Sequence, residues 1–273
     1  MPELPEVESV RNGLVDLVSE RTIGKVTVRW DNIIKEPKIE LFQKSLEGQT
    51  IETIRRRGKF LLFILTDYVL ISHLRMEGKF RLEVEGTPLT KHTHVIFSLN
   101  GGQELRYLDV RKFGKMSLVS KKELLTHPSL TSLGPEPVEE ELSIDWMVEY
   151  LKGKKRAVKA CLLDQKLVAG VGNIYADEIL YDAGIRPNRS ASSLTDEEIS
   201  VLRSSIVRIM KEAVEAGGTT IRTYANAYGR EGSYQNSLRI YGKVGSDCPI
   251  CHSPFIKTKV AQRGTHFCPV CQS

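Results

Sequence analysis

The chain has 273 residues, of which 41% are hydrophobic and 27% are charged, so it is long enough to bury a core and to form two or three domains. No apolar run approaches the roughly 20 residues that span a bilayer, and the acidic start is unlike a signal peptide, which together predict a cytoplasmic protein. The 39 Lys and Arg against 34 Asp and Glu give a net charge of +5, which permits a polyanionic partner without requiring one.

Two basic runs stand out in the charge pattern. Residues 55–59 form one, and residues 152–159 hold five basic side chains in eight positions, whereas every charge from 136 to 149 is acidic. Such runs are typical of a surface that faces a polyanion and also of an ordinary solvated surface. Charge alone leaves both interpretations open.

The first part of the chain combines one helix with short β-type segments. Pro5 suits a first helical turn, and apolar residues follow it at helical spacing from Val7 to Val18. Between about residues 22 and 119, β-type runs flank turns such as Asn100-Gly101-Gly102. These runs occupy residues 26–28, 60–65, 69–72, 80–84, 95–99 and 105–107. The pattern predicts an antiparallel sandwich or barrel.

The second part of the chain has a helical pattern. Residues 133–137, Leu-Gly-Pro-Glu-Pro, break both periodicities and predict a linker. Two short helices at about 157–164 and 174–182 are expected to precede a longer one, which begins at the capping-box pair Thr195 and Glu198.

Four of the five cysteines have the spacing of a zinc ribbon. Two Cys-x2-Cys pairs are separated by 16 residues: Cys248, Cys251, Cys268 and Cys271. Disulfides are the alternative, which a reducing cytosol disfavours. We therefore predict one structural Zn²⁺ held by four thiolates, with His252 and His266 as bystanders and Cys161 as a core residue. A hairpin fixed by zinc could present Arg263, which lies between the pairs, to a phosphate, although a surface arginine is the simpler interpretation.

The N-terminus carries the most unusual chemistry. Removal of the initiator Met leaves Pro2 as a secondary amine, a class with a reference pKa of about 7.7 to 8.0. Attack of such an amine on a sugar carbon gives an iminium, which is a good electron sink for elimination. Glu3 and Glu6 add carboxylates suited to acid–base work. The alternative is that Pro2 only begins a helix.

Seven segments, in order along nearly the whole chain, resemble the formamidopyrimidine-DNA glycosylase family. They are Pro2-Glu3-Leu4-Pro5-Glu6-Val7-Glu8, Arg56-Arg57-Gly58-Lys59-Phe60, His73-Leu74-Arg75-Met76-Glu77-Gly78, Asp109-Val110-Arg111-Lys112-Phe113-Gly114, Leu133-Gly134-Pro135-Glu136-Pro137, Val171-Gly172-Asn173-Ile174-Tyr175 and the zinc ribbon. The related endonuclease VIII group, which favours oxidised pyrimidines, usually has glycine at the position of Leu4 and lacks the pair matched by Arg111 and Phe113. The resemblance therefore favours the purine branch.

The resemblance implies an α+β multidomain fold. An N-terminal antiparallel β-sandwich with an N-terminal helix is expected at 1–133, a linker at 134–147, a helix-two-turns-helix DNA-binding domain with a lesion-recognition loop at 148–236, and a four-Cys zinc-ribbon hairpin at 237–273. The implied protein is a monomeric base excision repair enzyme that works on cytoplasmic, nucleoid DNA. It flips out and excises 8-oxoguanine and formamidopyrimidines from double-stranded DNA, then cuts abasic sites by β,δ-elimination, with one structural Zn²⁺ and no redox or nucleotide cofactor.

The same resemblance implies a role for individual residues. In catalysis, Pro2 is the Schiff-base nucleophile, Glu3 the acid, Lys59 the group for β-elimination and Arg263 the group for δ-elimination, with Glu6 close to this set. The implied DNA contacts are His92, Arg111, Lys155, Lys159, Asn173, Met76, Phe113 and Tyr241. The implied lesion-recognition residues are Glu77, Thr219, Ile221, Arg222, Thr223 and Tyr224.

Two alternative functions are kept open. One is an endonuclease VIII-like glycosylase for oxidised pyrimidines. The other is a non-catalytic zinc-ribbon protein that binds damaged DNA, for which the zinc and the basic runs suffice. A binding protein has no need of the Pro2-Glu3 start or of Lys59, so those residues favour an enzyme.

Overall fold

The computed structural model describes residues 1–219 and 232–273, and the chain forms two compact units. The first unit comprises Met1–Thr131 and Gly217–Gly232, and the second comprises Ser132–Ala216 and Ser233–Ser273. Among the residues that the structure describes, no helix is both long and apolar enough to cross a membrane.

The first unit is a β-sandwich with helices packed on it. Its helices are α1 (Leu4–Val18), α2 (Ile39–Leu46) and α3 (Pro128–Thr131). Its strands are β1 (Ile23–Val28), β2 (Ile34–Glu36), β3 (Ile51–Arg57), β4 (Phe60–Leu65), β5 (Tyr68–His73), β6 (Lys79–Val84), β7 (Thr93–Leu99), β8 (Gln103–Leu108) and β9 (Lys115–Ser120). One sheet has the order β1-β7-β8-β6 and the other β2-β9-β5-β4-β3. Every pair is antiparallel except β2 with β9, which are parallel.

The core of the first unit lies between the two sheets. Alternating residues such as Phe63 of β4 and Phe97 of β7 point into it, and α1 adds Val7, Val10 and Leu14 from one face. The opposite face of the five-stranded sheet is also covered, because the segment 123–131 packs on it. The predicted sandwich with an N-terminal helix is thus confirmed.

The second unit is helical and ends in a hairpin. Its helices are α4 (Ile144–Leu151), α5 (Val158–Leu163), α6 (Asn173–Asp182) and α7 (Asp196–Glu215), and its strands are β10 (Ile256–Val260) and β11 (Arg263–Phe267). Helix α7 begins with the predicted capping box, in which the Thr195 hydroxyl accepts from the Glu198 backbone N–H and the Glu198 carboxylate accepts from the Thr195 N–H. Cys161 is buried, as predicted.

Apart from the zinc hairpin, the periodicity argument missed strands β2, β3 and β9 and helices α2, α3 and α4. Strand β3 contains the basic run 55–57, and a register shift between Ile51 and Thr53 breaks its alternation, so that its buried residues, Ile51 and Ile54, lie three positions apart. Helix α2 is only eight residues long, and α4 begins at Ile144, within the predicted linker at 134–147. Short elements give little periodic signal, which is why they escape such an analysis.

Candidate active site and zinc centre

The N-terminal residues that were predicted to carry the chemistry are buried. Pro2 and Glu3 precede α1, and Glu3 is only 3% exposed. The Glu3 backbone N–H donates to Oε2 of Glu6 over 2.7 Å, so the Glu6 carboxylate fixes the chain just after Pro2 at the start of the helix. Burial in a low-dielectric setting strengthens such bonds and makes the local geometry costly to change.

The second oxygen of Glu6 holds the described end of the segment that contains the predicted recognition loop. Oε1 accepts the backbone N–H of Thr219 at 2.7 Å and its hydroxyl at 3.1 Å. Gly218 has φ +81°, and a Cβ there would lie 2.7 Å from the same oxygen. Glycine is therefore required at this position both by conformation and by space. Ile221, Arg222, Thr223 and Tyr224 lie outside the described residues.

Lys59 lies in the turn between β3 and β4, the two strands on which α1 packs. Its side chain is buried, at 5% exposure, and it follows Gly58, whose φ is +53°. Arg56 of the same run donates to Glu8 of α1 over 2.7 Å. The basic run 55–59 is therefore partly neutralised within the protein and is not a uniform solvated surface.

His73 is a neighbour of Lys59 that the sequence analysis did not select. It pairs with Phe60 across β4 and β5, and the two rings meet edge to face with centroids 4.6 Å apart. Burial, and then the charges of Arg75 and Lys59, lower the pKa of His73 to about 3. Its Nδ1 accepts the Arg75 backbone N–H at 3.0 Å, which fits a neutral ring. The segment at residues 73–78, which resembles the family, was the feature of the sequence that could have pointed to His73.

The turn 109–114, which carries the predicted contacts Arg111 and Phe113, is organised by one buried carboxylate. Asp109 Oδ1 accepts from the Arg111 N–H at 2.9 Å, and Oδ2 accepts from the N–H groups of Phe113 and Gly114, each at 2.8 Å. The Asp109 N–H donates in turn to the carbonyl of His92, another predicted contact. Asp109 thus fixes the backbone beneath these three residues.

The hydroxyl of Tyr107 fills the space behind two turns. A Cβ on Gly78 would lie 2.1 Å from it, and one on Gly114 would lie 1.7 Å from it, so both positions exclude any larger residue. Burial, and then the Asp109 carboxylate, raise the pKa of Tyr107. One turn follows Met76 and the other follows Phe113, so a single side chain supports both predicted intercalating segments.

The exposure of the predicted intercalating residues differs from that of core residues. Phe113 is 50% exposed, and the Arg111 guanidinium lies 4.8 Å from its ring centroid. Met76 is half-buried and Glu77 exposed. An exposed phenylalanine on a rigid turn suits insertion between bases and does not contribute to the sandwich core.

The four cysteines of the ribbon converge, which confirms the predicted metal site. All four sulfurs lie within 4.8 Å of one another, with Cys248 and Cys271 3.8 Å apart and Cys251 and Cys268 3.4 Å apart. These distances exceed the about 2.05 Å of a disulfide and match the about 3.8 Å between sulfurs of a tetrahedral zinc site. The cluster fits one Zn²⁺. His252 and His266 are not members of it.

The remaining predicted residues of the second unit divide by exposure. Arg263 and Lys155 are exposed, and Tyr241 is half-buried with its ring 4.9 Å from that of His266. Asn173 is the first residue of α6, and its amide donates to the Gly264 carbonyl at 3.0 Å. The Lys159 side chain has no exposed surface, whereas a direct phosphate contact requires an exposed amine. This burial argues against the predicted DNA contact of Lys159.

The two units together define a class of protein. A buried N-terminal proline beside two carboxylates supplies covalent and acid–base chemistry, while a thiolate zinc centre and an exposed arginine hairpin are features of proteins that process nucleic acids. The class is that of a zinc-finger enzyme acting on nucleic acid.

Comparison with known proteins identifies the family. The formamidopyrimidine-DNA glycosylase N-terminal domain matches residues 1–116, the H2TH domain of the same family matches 133–225, and the zinc finger found in FPG and IleRS matches 245–273. The chain belongs to the formamidopyrimidine-DNA glycosylase family.

Individual relatives agree along the full length. The chain is 52% identical to the formamidopyrimidine-DNA glycosylase of Enterococcus faecalis, covering 100% of this chain and 97% of that one, and 53% identical to that of Bacillus licheniformis, covering 100% and 99%. Among solved structures, a mutant Lactococcus lactis FPG bound to Fapy-dG-containing DNA has a TM-score of 0.94 at 42% identity, covering 99% of each chain. The Lactococcus lactis Fpg bound to abasic-site DNA has a TM-score of 0.93 at 41% identity, also covering 99% of each.

Proposed function

We propose that this protein is a bifunctional DNA glycosylase and abasic-site lyase that excises oxidised purines, including 8-oxoguanine and formamidopyrimidines, in base excision repair. The observation that carries the proposal is the buried start of α1, where the Glu6 carboxylate fixes the backbone between Pro2 and the helix. Full-length relatives with the corresponding name support the purine branch over the pyrimidine one. Structural neighbours bound to Fapy-dG-containing and abasic-site DNA support damaged DNA as the partner.

The chemistry follows from the reaction of a secondary amine with a sugar. The Pro2 nitrogen, exposed by removal of Met1, attacks C1′, and the base departs with the electron pair of the C1′–base bond and a proton from Glu3, which then recovers a proton from the Pro2 nitrogen. The C1′–O4′ bond then breaks, with Glu3 as proton donor, and leaves an iminium between Pro2 and C1′. Loss of the C2′ proton expels the 3′ phosphate, and loss of the C4′ proton expels the 5′ phosphate. Water then hydrolyses the iminium and restores Pro2.

The protein contributes more than the nucleophile. We propose that Lys59 assists the first elimination and Arg263 the second. Because a base inside a duplex is out of reach, the lesion must be flipped out, and Met76, Arg111 and Phe113 are proposed to fill the gap it leaves. The exposure of Phe113 and the rigid turns beneath these residues support this assignment.

The domain boundaries, the remaining DNA contacts and the cellular location are also part of the proposal. The divisions at 1–133, 134–147, 148–236 and 237–273 are retained as proposed functional domains. The contacts of His92, Lys155, Asn173 and Tyr241 with DNA, and of Glu77, Thr219 and the loop 221–224 with the lesion, are likewise proposals. We place the reaction in the cytoplasm, on nucleoid DNA, with the protein acting as a monomer.

Substitution of Glu3→Gln tests the proposal by separating its two activities. An intact nucleoside needs a proton donor to lose its base, whereas an abasic sugar already equilibrates with an open aldehyde that Pro2 can attack unaided. Base excision from duplex DNA with one 8-oxoguanine opposite cytosine should therefore fall by about two to four orders of magnitude, the range for a positioned acid, while cutting at a preformed abasic site is largely kept.

The outcomes distinguish the alternatives. Both substrates are compared at matched salt, because phosphate contacts make binding strongly salt-dependent. Equal losses of activity on the two substrates would contradict the assignment of Glu3 as the proton donor for base excision. Faster excision of an oxidised pyrimidine than of 8-oxoguanine by the unsubstituted protein would favour the endonuclease VIII-like function. Binding without excision or cutting would favour the non-catalytic protein.

A further inference from the structure

A buried ion pair joins the helices of the second unit to the hairpin that carries Arg263. The Lys159 amine on α5 lies 2.6 Å from Oδ1 of Asp177 on α6, and neither side chain has any exposed surface. The Lys159 amine also donates to the Thr265 hydroxyl at 2.8 Å and to the Gly264 carbonyl at 3.1 Å. The pair therefore reaches both residues that follow Arg263.

The other oxygen of Asp177 extends the same connection. Oδ2 accepts the backbone N–H of His266 and its ring Nδ1, each at 2.9 Å. The ring of His266 in turn packs edge to face against Tyr241. Asp177 thus holds the hairpin through His266 and supports the side of Tyr241, a proposed DNA contact.

A hairpin of this kind needs such anchoring. It has two strands of five residues, and an isolated two-stranded hairpin is marginally stable in water. Its tight turn places Ala261 and Gln262 at φ +49° and +60°, immediately before Arg263. Zinc fixes the two cysteine ends of this segment, whereas the bonds from Lys159 and Asp177 fix the strand beside the turn.

Stability alone does not explain a fully buried charge pair. Taking both charges out of water is costly, and apolar residues of similar size often serve a fold equally well. What an apolar pair cannot supply is a set of directed hydrogen bonds to three consecutive residues, Gly264 to His266. Orientation of the strand is the property that the charges add.

We propose that Lys159 and Asp177 are positioning residues that orient Arg263 for the second elimination. The proposal rests on the function assigned to Arg263 above. It gives Lys159 an indirect role in place of a phosphate contact. It also implies that the pair controls loss of the C4′ proton and of the 5′ phosphate more than base excision or the first elimination.

The test measures the ratio of δ- to β-elimination products on DNA with a preformed abasic site, using the full-length zinc-loaded protein. Lys159→Met and Asp177→Asn should each lower this ratio by up to about a hundredfold, the cost of misplacing a catalytic group by about 1 Å, with the zinc content and the rate of the first elimination little changed. Arg263→Gln should lower the ratio in the same way. Adding Asp177→Asn to Arg263→Gln should lower it no further, because the pair acts through Arg263.

Arg186→Gln is the matched control. Arg186 also anchors the zinc segment, but at the far end of β11 from Arg263: it donates to the carbonyls of Gln272 and Pro269, and its guanidinium lies 5.9 Å from the ring centroid of Phe267. It should leave the product ratio unchanged. If a single variant does not fold, the double variant Lys159→Met/Asp177→Asn removes both charges, avoids an isolated buried charge and should still lower the ratio.

The outcomes that overturn the proposal are distinct from failure of the proposed function. A ratio that Arg263→Gln lowers but Asp177→Asn and Lys159→Met leave unchanged would overturn the positioning role alone. Equal slowing of both eliminations, an additive effect on top of Arg263→Gln, or an equal shift in Arg186→Gln would also overturn it. A ratio unaffected by Arg263→Gln would instead refute the role assigned to Arg263, and the inference with it.

Discussion

The carboxylate of Glu6 accepts two hydrogen bonds from Thr219, which lies 213 positions further along the chain. The other oxygen of the same group accepts the backbone N–H of Glu3. One buried side chain therefore holds both the residue after the proposed nucleophile and the start of the segment that contains the proposed recognition loop.

Substitution of Glu6→Gln should break this connection. A glutamine has one carbonyl oxygen, so its amide nitrogen must face a backbone N–H of either Glu3 or Thr219, and a buried donor left without an acceptor costs about 1–3 kcal/mol. We expect a lower melting temperature and slower base excision. Thr219→Val is the control for stability, since it removes only the hydroxyl bond and should lower the melting temperature less. Equal behaviour of the two variants would contradict this role for Glu6.

Substitution of Asp109→Asn should disturb the turn that carries Arg111 and Phe113. The carboxylate accepts three backbone N–H groups, which an amide cannot satisfy. Fluorescence of 2-aminopurine beside the lesion, which reports unstacking, should respond less to the variant than to the unsubstituted protein. Excision from duplex DNA should fall by about tenfold to a hundredfold. Asp67→Asn, in the same unit but outside the turn, should leave the signal intact, and an unchanged signal in Asp109→Asn would refute the role of the turn.

Loss of one zinc-binding thiolate should disturb the second unit and leave the first unit folded. Cys248→Ser should bind substantially less than one zinc per chain and lose order in the hairpin of Arg263, so DNA affinity falls while the first unit stays folded. Metal analysis and circular dichroism check this. Cys161→Ser, a buried cysteine outside the cluster, should keep its zinc. Full DNA affinity in a zinc-depleted protein would contradict the prediction.

His73 should remain neutral throughout the physiological range. Its pKa is lowered from 6.5 to about 3, so between these two pH values the unfolded chain binds a proton at His73 and the folded chain does not. Its contribution to stability is therefore complete above pH 6.5 and is lost as the pH falls towards 3. His73→Asn, which can still accept from Arg75, should make the dependence of unfolding free energy on pH shallower by at most about 1.4 kcal/mol per pH unit. An NMR titration of the His73 ring between about pH 5 and 8 would contradict this.

Local patterns predicted much of this structure. Cysteine spacing is enough to predict the zinc cluster, since two Cys-x2-Cys pairs are typical of structural zinc sites. Capping chemistry placed the start of α7, and the alternation of apolar residues located six strands of the sandwich. The burial of the Glu3 and Glu6 carboxyl groups and the role of Asp109 in its turn had no such signal.

Relationships between distant residues were beyond local reasoning. The bond from Glu6 to Thr219 depends on how the first unit folds, and no spacing rule connects the two positions. The resemblance implied that Lys159 contacts DNA, and lysine is almost always exposed, yet Asp177 and the hairpin enclose it. The pairing of His73 with Phe60 likewise follows from strand register.

Borohydride trapping on duplex DNA that carries one 8-oxoguanine opposite cytosine tests the central claim most directly. Reduction converts an iminium between protein and sugar into a stable amine, and peptide mapping then identifies the attached residue. We expect a covalent adduct at Pro2, which Pro2→Gly or retention of Met1 reduces sharply. An adduct mapped to Lys59 or to another lysine would contradict the account.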